Sequence, residues 1–221
     1  MINLEKNFLI KKNDSLKERT VDVIIPVYKN KVMTLNCIYS VLESENLTGI
    51  NLIVINDKSP EDELVRKLEY LRDQKCIQLI SNSKNKGFVY SVNAGMQVNN
   101  MNDVVLLNSD TRVFNNWLDR LCHHSDMPDI GTVTPLSNDA TICSYPYFNQ
   151  MNSANLEFDF EQIDRFSSQV NSLKNVEAPT GVGFCMLIKR ACLNEVGYFD
   201  LESFGKGYGE ENDFCQRAIM L

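Results

Sequence analysis

Short, unbroken apolar runs recur through the first half of the chain, and each ends abruptly in polar residues. Thr20-Val21-Asp22-Val23-Ile24-Ile25 leads into Pro26-Val27-Tyr28, Ile50-Asn51-Leu52-Ile53-Val54-Ile55 leads into Asn56-Asp57-Lys58-Ser59, and Asp103-Val104-Val105-Leu106-Leu107 leads into Asn108-Ser109-Asp110. Runs of this length with little alternation are the pattern of strands buried on both faces. Between them, apolar residues fall at helical spacing over 32–42, 63–72 and 89–98, and 76–80 reads as a further short strand. Ser59-Pro60-Glu61-Asp62 places proline in the first turn of the second helix. Alternating strands and helices predict the α/β class, with a mostly parallel central sheet, helices on both faces and right-handed crossovers.

Beyond Trp117 the pattern weakens. Residues 131–135 suggest one more strand, whereas 136–175 reads as a long irregular stretch with aromatic residues and an acidic patch at 157–161. Residues 177–188 return to a glycine loop followed by a strand, and 207–215 opens a final helix. Trp117 reads as packing, with sugar stacking as the rival role. His123 and His124 are adjacent rather than at metal-ligand spacing, and are expected on an exposed loop.

In an open parallel sheet, ligands sit at the carboxyl ends of the strands. The three polar strand ends are therefore candidate chemistry, although Asn, Ser and Asp also make ordinary turns. Asp110 is the most pointed of them, because a buried strand would deliver its carboxylate to the mouth of a site, where a metal or a diphosphate would be handled.

Bulk properties narrow the choice. The chain has 221 residues and 43% hydrophobic composition, enough for one substantial core. Residues 1–19 are polar and charge-rich and read as an N-terminal extension, with 20–221 as the folded domain. No run reaches the roughly 18 apolar residues of a membrane span, and the first residues lack the apolar core of a signal peptide, so a cytosolic setting is expected, with peripheral attachment to the inner membrane face as a variant. Seven cysteines without a close C-x-x-C pair suggest reduced thiols rather than a zinc site or a disulfide framework. A net charge of -7 argues against a nucleic-acid surface, while amides and a cation can still hold a diphosphate locally.

Taken together, Ile25-Pro26-Val27-Tyr28, Val54-Ile55-Asn56-Asp57-Lys58-Ser59, Asn85-Lys86-Gly87-Phe88 with Ser91-Val92-Asn93-Ala94-Gly95, Asn108-Ser109-Asp110, Pro135-Leu136-Ser137-Asn138, Thr180-Gly181-Val182-Gly183 and Gly209-Glu210-Glu211-Asn212-Asp213 follow one family order from residue 21 to 217. In this the chain resembles the family 2 glycosyltransferases of the GT-A fold. The resemblance implies an inverting transferase of the hexosyl or deoxyhexosyl class, which moves a sugar from a nucleotide-diphosphate donor to a hydroxyl acceptor. It also implies a divalent cation, Mg2+ or Mn2+, a glycan or lipid-linked acceptor and, from the stretch 135–146, a role in surface polysaccharide or glycoconjugate synthesis.

By the same resemblance, Pro26, Val27, Tyr28, Asp57, Asn85, Gly87, Ser91 and Asn108 would form the nucleotide pocket. Asp57 would accept a hydrogen bond from a pyrimidine imide, which favours a UDP or dTDP donor over GDP; its rival role is a turn or cap before Pro60. Asp110 would hold the metal, and Asn108 stands where the family pattern has a first aspartate. Thr180, Gly181 and Gly183 would present backbone to the sugar or acceptor. Glu211 aligns with the catalytic base and Glu210 competes for that role, while acidic residues also simply complement a helix N-terminus. A catalytically weak nucleotide-sugar-binding module is the alternative, suggested by Asn108 and by a last helix expected to continue past Leu221. A nicotinamide oxidoreductase is disfavoured, since no G-x-G-x-x-G follows the first strand.

Overall fold

A computed structural model describes residues 19–152 and 158–221. Most of the expected N-terminal extension and part of the expected acidic patch lie outside the described residues. Six strands, β1 (Thr20–Val27), β2 (Gly49–Asn56), β3 (Gln78–Ser81), β4 (Asp103–Leu107), β5 (Thr132–Val133) and β6 (Cys185–Ile188), form one sheet in the order β3-β2-β1-β4-β6-β5. β1 to β4 run parallel, and β6 is antiparallel to both β4 and β5.

Because successive side chains leave a strand on opposite faces, an unbroken apolar strand feeds two cores. Val23, Ile25, Val54, Val105 and Leu107 pack on one face against α1 (Lys31–Glu43), α2 (Asp62–Asp73) and α4 (Trp117–Ser125). Ile24, Ile53, Ile55, Val104 and Leu106 face the opposite layer, with α3 (Phe88–Met96), α6 (Arg190–Val196) and α8 (Glu210–Ile219). A Cβ on Gly95 would stand 2.5 Å from Ile24 Cγ2, so only glycine lets α3 lie this close to β1. Trp117 is buried, and its indole N–H donates to Ser44 Oγ at 3.2 Å, which makes it a packing residue.

Pro26 continues β1 rather than ending it. The Val27 carbonyl accepts from the Asp57 amide on the β2 side, so alternation turns the Pro26 nitrogen toward β4, whose pairing with β1 has already ended at Ile24. Pro60 precedes α2 instead of occupying its first turn, with Glu61 at the N-cap. Arg19, inside the expected extension, belongs to the domain: its guanidinium bonds the carboxylates of Asp103 at 2.5 Å and Asp126 at 2.7 Å.

The second half is more ordered than its sequence pattern suggests. Residues 160–170, expected to be irregular, form helix α5 (Phe160–Val170), started by a reciprocal capping box between Asp159 and Gln162. The loop over 137–152 has little regular structure, yet it is knitted together by Asn152, whose side chain bonds Tyr147 N and the carbonyls of Asn138, Tyr147 and Gln150. His123 and His124 are not on a loop but in the last turn of α4, with His123 exposed and His124 half-buried. A short helix, α7 (Leu201–Phe204), precedes the glycine-rich turn into α8.

Candidate active site

Local rules first cross-tie the carboxyl ends of β1 and β2. Lys29 and Asn30 adopt left-handed backbone, with φ of 67° and 59°, and the Asn30 side chain caps α1 by accepting from Met33 N. The Glu61 carboxylate accepts from Asn30 N and Lys31 N, both at 2.9 Å, which places an anion at the positive end of α1. Tyr28 projects from this junction 45% exposed, with Lys29 Nζ 5.1 Å from its ring centroid. Val27 departs from its expected role: its side chain is buried in the core, so a ligand at this end would meet only its backbone.

Asp57 is the centre of the β2 end. Its carboxylate is only 4% exposed, with Oδ1 accepting from Asn82 Nδ2 at 2.7 Å and Lys86 N at 2.8 Å, and Oδ2 from Gly87 N at 2.8 Å. The preceding Asn56 shapes the turn by accepting from Ser59 N, and Lys58 takes the left-handed conformation that turn needs. The first job of Asp57 in this fold is therefore to hold the loop 82–87 by its amides. Ser91, expected to line the nucleotide pocket, is buried and accepts a bond from Asn82, so it supports that loop from behind. Asn85 is exposed at the loop tip, and Lys86 lays its ammonium 3.8 Å from the Tyr90 ring centroid rather than standing free in water.

At the end of β4, Asn108 is half-buried; its amide bonds Phe184 O at 2.8 Å and its carbonyl closes a turn to Thr111 N. Asp110 is exposed beyond that turn. Among the described residues there is no cluster of three or more His, Cys, Asp or Glu side chains that could enclose a metal ion.

The opposite wall comes from the second half. Thr180 Oγ1 meets Asn212 Oδ1 at 2.7 Å, Gly181 N points at Cys215 Sγ, and the nearest side-chain atom to a Cβ on Gly183 would be Glu211 Oε1 at 3.7 Å. The expected sugar or acceptor residues and the expected acids thus form one surface. Glu210 is 4% exposed, and its Oε2, like Glu211 Oε2, is buried without a hydrogen-bond partner. Burial, more than the neighbouring Glu211, raises the Glu210 carboxyl above the usual range. An acid held this way resists ionisation, whereas the half-buried Glu211 beside Gly183 is the more accessible of the two.

Several residues that build the mouth were not singled out in the sequence. Asn82 organises it by side-chain bonds to Asp57 and Ser91, and Glu61 by accepting from the backbone of Asn30 and Lys31, pairings no local pattern reveals. Asn93, part of a quoted motif, serves the architecture. Its side chain exchanges two hydrogen bonds with the backbone of Phe199 and fastens the approach to α7.

A mostly parallel sheet with polar strand ends, flanked by a glycine segment and an acidic helix start, is the architecture of the GT-A fold. The family model "Glycosyl transferase family 2" matches residues 22–197, and the chain belongs to that family. Glu210 and Glu211 fall outside the matched range. An uncharacterized glycosyltransferase of Rickettsia bellii is 34% identical over 104 residues, which is 47% of this chain and 15% of that protein. The same fold occurs in GalNAc-T7 solved with UDP, GalNAc and Mn2+, with a TM-score of 0.66 and 16% identity over 90% of this chain and 40% of that one. It occurs also in the mannosyltransferase PcManGT of Pyrobaculum calidifontis, solved with GDP-Man and Mn2+, with a TM-score of 0.57 and 16% identity over 87% of this chain and 49% of that one. The chain thus spans less than half the length of each of these proteins.

Proposed function

We propose that this chain carries the transferase site of an inverting glycosyltransferase, which moves a hexosyl or deoxyhexosyl unit from a nucleotide-diphosphate donor to a hydroxyl of a glycan or lipid-linked acceptor in surface polysaccharide or glycoconjugate synthesis. The observation that carries this reading is the juxtaposition of two polar groups: a loop of amides held by Asp57 at the end of β2, with Asp110 beyond the end of β4, and an acidic pair beside the glycine segment 180–183. Such a mouth can hold a donor on one side and take a proton from an incoming hydroxyl on the other.

Glu211 is the base in this reading. Its reach past Gly183, where no side chain intervenes, suits removal of a proton from an acceptor oxygen. Burial raises the carboxyl of the adjacent Glu210 above the usual range, which makes Glu210 the harder of the two to ionise. Tyr28 offers an exposed aromatic face for the base or ribose, and the remaining lone pair of the Asp57 carboxylate suits a pyrimidine imide N–H, hence UDP or dTDP rather than GDP.

The residues fit a divalent cation only as a shared ligand. Asp110 is one hard, exposed carboxylate, and Asn108 adds an amide but no charge, so the donor's own oxygens must complete the shell. When bound there, Mg2+ or Mn2+ would neutralise charge on the leaving diphosphate. Asn108 also keeps open a second reading, a binding module with weak turnover.

The deciding experiment is a thermal-shift screen of UDP-, dTDP- and GDP-sugars with manganese or with chelator, since a ligand that binds only the folded state raises apparent stability. Metal-dependent stabilisation by a uridine or thymidine donor supports the reading. The best stabilisation by GDP-sugars would remove the pyrimidine assignment, and turnover assays with a bound donor separate enzyme from binding module.

A further inference from the structure

One chain of contacts runs from the Asp57 side to the acidic pair, and most of its links are backbone or carboxylate. It begins at Asp57, which holds the amides of Lys86 and Gly87 at 2.8 Å each. The next amide, Phe88 N, donates to the Lys206 carbonyl at 3.1 Å. Gly87 has φ of +91°, and a Cβ there would meet Lys206 Cα at 2.8 Å, so the two backbones touch only because residue 87 has no side chain. One residue on, a Cβ on Gly207 would lie 3.7 Å from Phe88 Cβ and 3.9 Å from Glu210 Oε1. Gly209, with φ of +100°, then starts α8 and delivers Glu210 and Glu211.

Within the segment, Gly207 N bonds the Phe204 carbonyl at 2.9 Å, and the remaining contacts of the turn are made to the elements beside it. Gly205, Gly207, Tyr208 and Gly209 all have positive φ, and Tyr208, the one that is not glycine, is 99% exposed. A turn so rich in left-handed residues takes its position from what it rests on: Phe204 ties one end to the core, and the 86–88 backbone held by Asp57 supports it at Lys206 and Gly207.

We propose that Asp57 and Gly87 are positioning residues for Glu210 and Glu211, acting through the docking of the turn 205–209 on the backbone of residues 86–88. The side that grips the donor thereby sets the acids on the other side. The effect on turnover rests on the reading of Glu211 as base given above, whereas the docking itself does not. Placement is what a proton-transfer group is most sensitive to, since about 1 Å of displacement costs on the order of a hundredfold in rate.

The test uses the chain without any donor. Carboxyl carbon NMR titration follows Glu210, whose neighbours in this respect are Glu211 and the amides of Glu210 and Tyr208. In Asp57→Asn an amide NH2 faces a backbone N–H it cannot accept, the support loosens, and the Glu210 midpoint should fall measurably toward the ordinary carboxylate range as water reaches it. Gly87→Ala should do the same more strongly. Asn82→Ala, which removes only one bond to Asp57, is the milder variant in case either of those fails to fold. Lys206→Ala should leave the midpoint alone, because Lys206 contributes its backbone. With a working donor, the same variants should lower kcat about tenfold or more. An unchanged Glu210 midpoint in folded Asp57→Asn and Asn82→Ala overturns the proposal. Failure of every nucleotide sugar to bind would sink the functional reading instead, and the titration would still decide the docking.

Discussion

Asp57 and Glu210 are both acidic residues 4% exposed at the same mouth, and they are buried in opposite ways. Asp57 receives three N–H bonds and is the hub of a loop, whereas Glu210 leaves one oxygen buried with no partner and its carboxyl shifted upward. A buried carboxylate stabilises a fold when donors surround it and weakens the fold when they do not. The first arrangement belongs to architecture. The second is tolerated where chemistry needs a proton held at an unusual pH.

The largest effect should come from breaking the satisfied side. Asp57→Ala strands Asn82 Nδ2 and the amides of Lys86 and Gly87, and should destabilise the chain by about 3 kcal/mol in urea unfolding. A loss near zero would mean that water replaces all three bonds and that the hub is not structural. On the other wall, Glu211→Gln should keep the unfolding midpoint and donor affinity while kcat falls at least about a hundredfold, equivalent to about 2.7 kcal/mol of barrier, with Glu210→Gln doing less. Steady-state rates in the reversed order would assign the base to Glu210.

A smaller effect belongs to the exposed acid. Asp110→Ala should abolish the part of nucleotide stabilisation that needs manganese, about 1 to 2 kcal/mol at saturating ligand, and leave the chelator-resistant part. Equal stabilisation of parent and variant by manganese would take Asp110 out of the metal's shell. The smallest effect sharpens the comparison by its sign. Because the folded carboxyl of Glu210 is raised, the folded state keeps its proton to higher pH than the unfolded chain, so its contribution to stability is lost as pH rises through the ordinary carboxylate range and up to the folded value. Glu210→Gln should therefore raise Tm relative to the parent at pH 7 more than at pH 4. Parallel Tm curves across that interval would show that the burial of Glu210 carries no such cost.

How much of this was legible in the sequence differs between the two halves. The strands through Ile24, Ile53 and Val105 were plain because a strand buried on both faces has no reason to alternate, and a continuous apolar run of that length between turn formers fits little else. Helix α5 was equally available in principle, since Asp159 and Gln162 stand at capping-box spacing, but none of its residues is buried, so the periodic signal carried no weight of burial. His123 and His124 were misplaced for a related reason: two polar residues at the end of a short helix look like the loop that follows.

The sequence by itself determined the parallel half of the sheet, the polar strand ends and the identity of the acids at the start of the last helix, because each of these follows from neighbours within a few residues. Tertiary structure alone decided which of those acids is satisfied. Asp57 is held by amides about thirty residues away, Glu61 caps a helix that precedes it, β6 turns antiparallel after a long excursion, and Glu210 is stranded by the way a glycine turn rests on Gly87. Burial and hydrogen bonding depend on which segments meet, and segments far apart in the chain meet only once the whole sheet has formed.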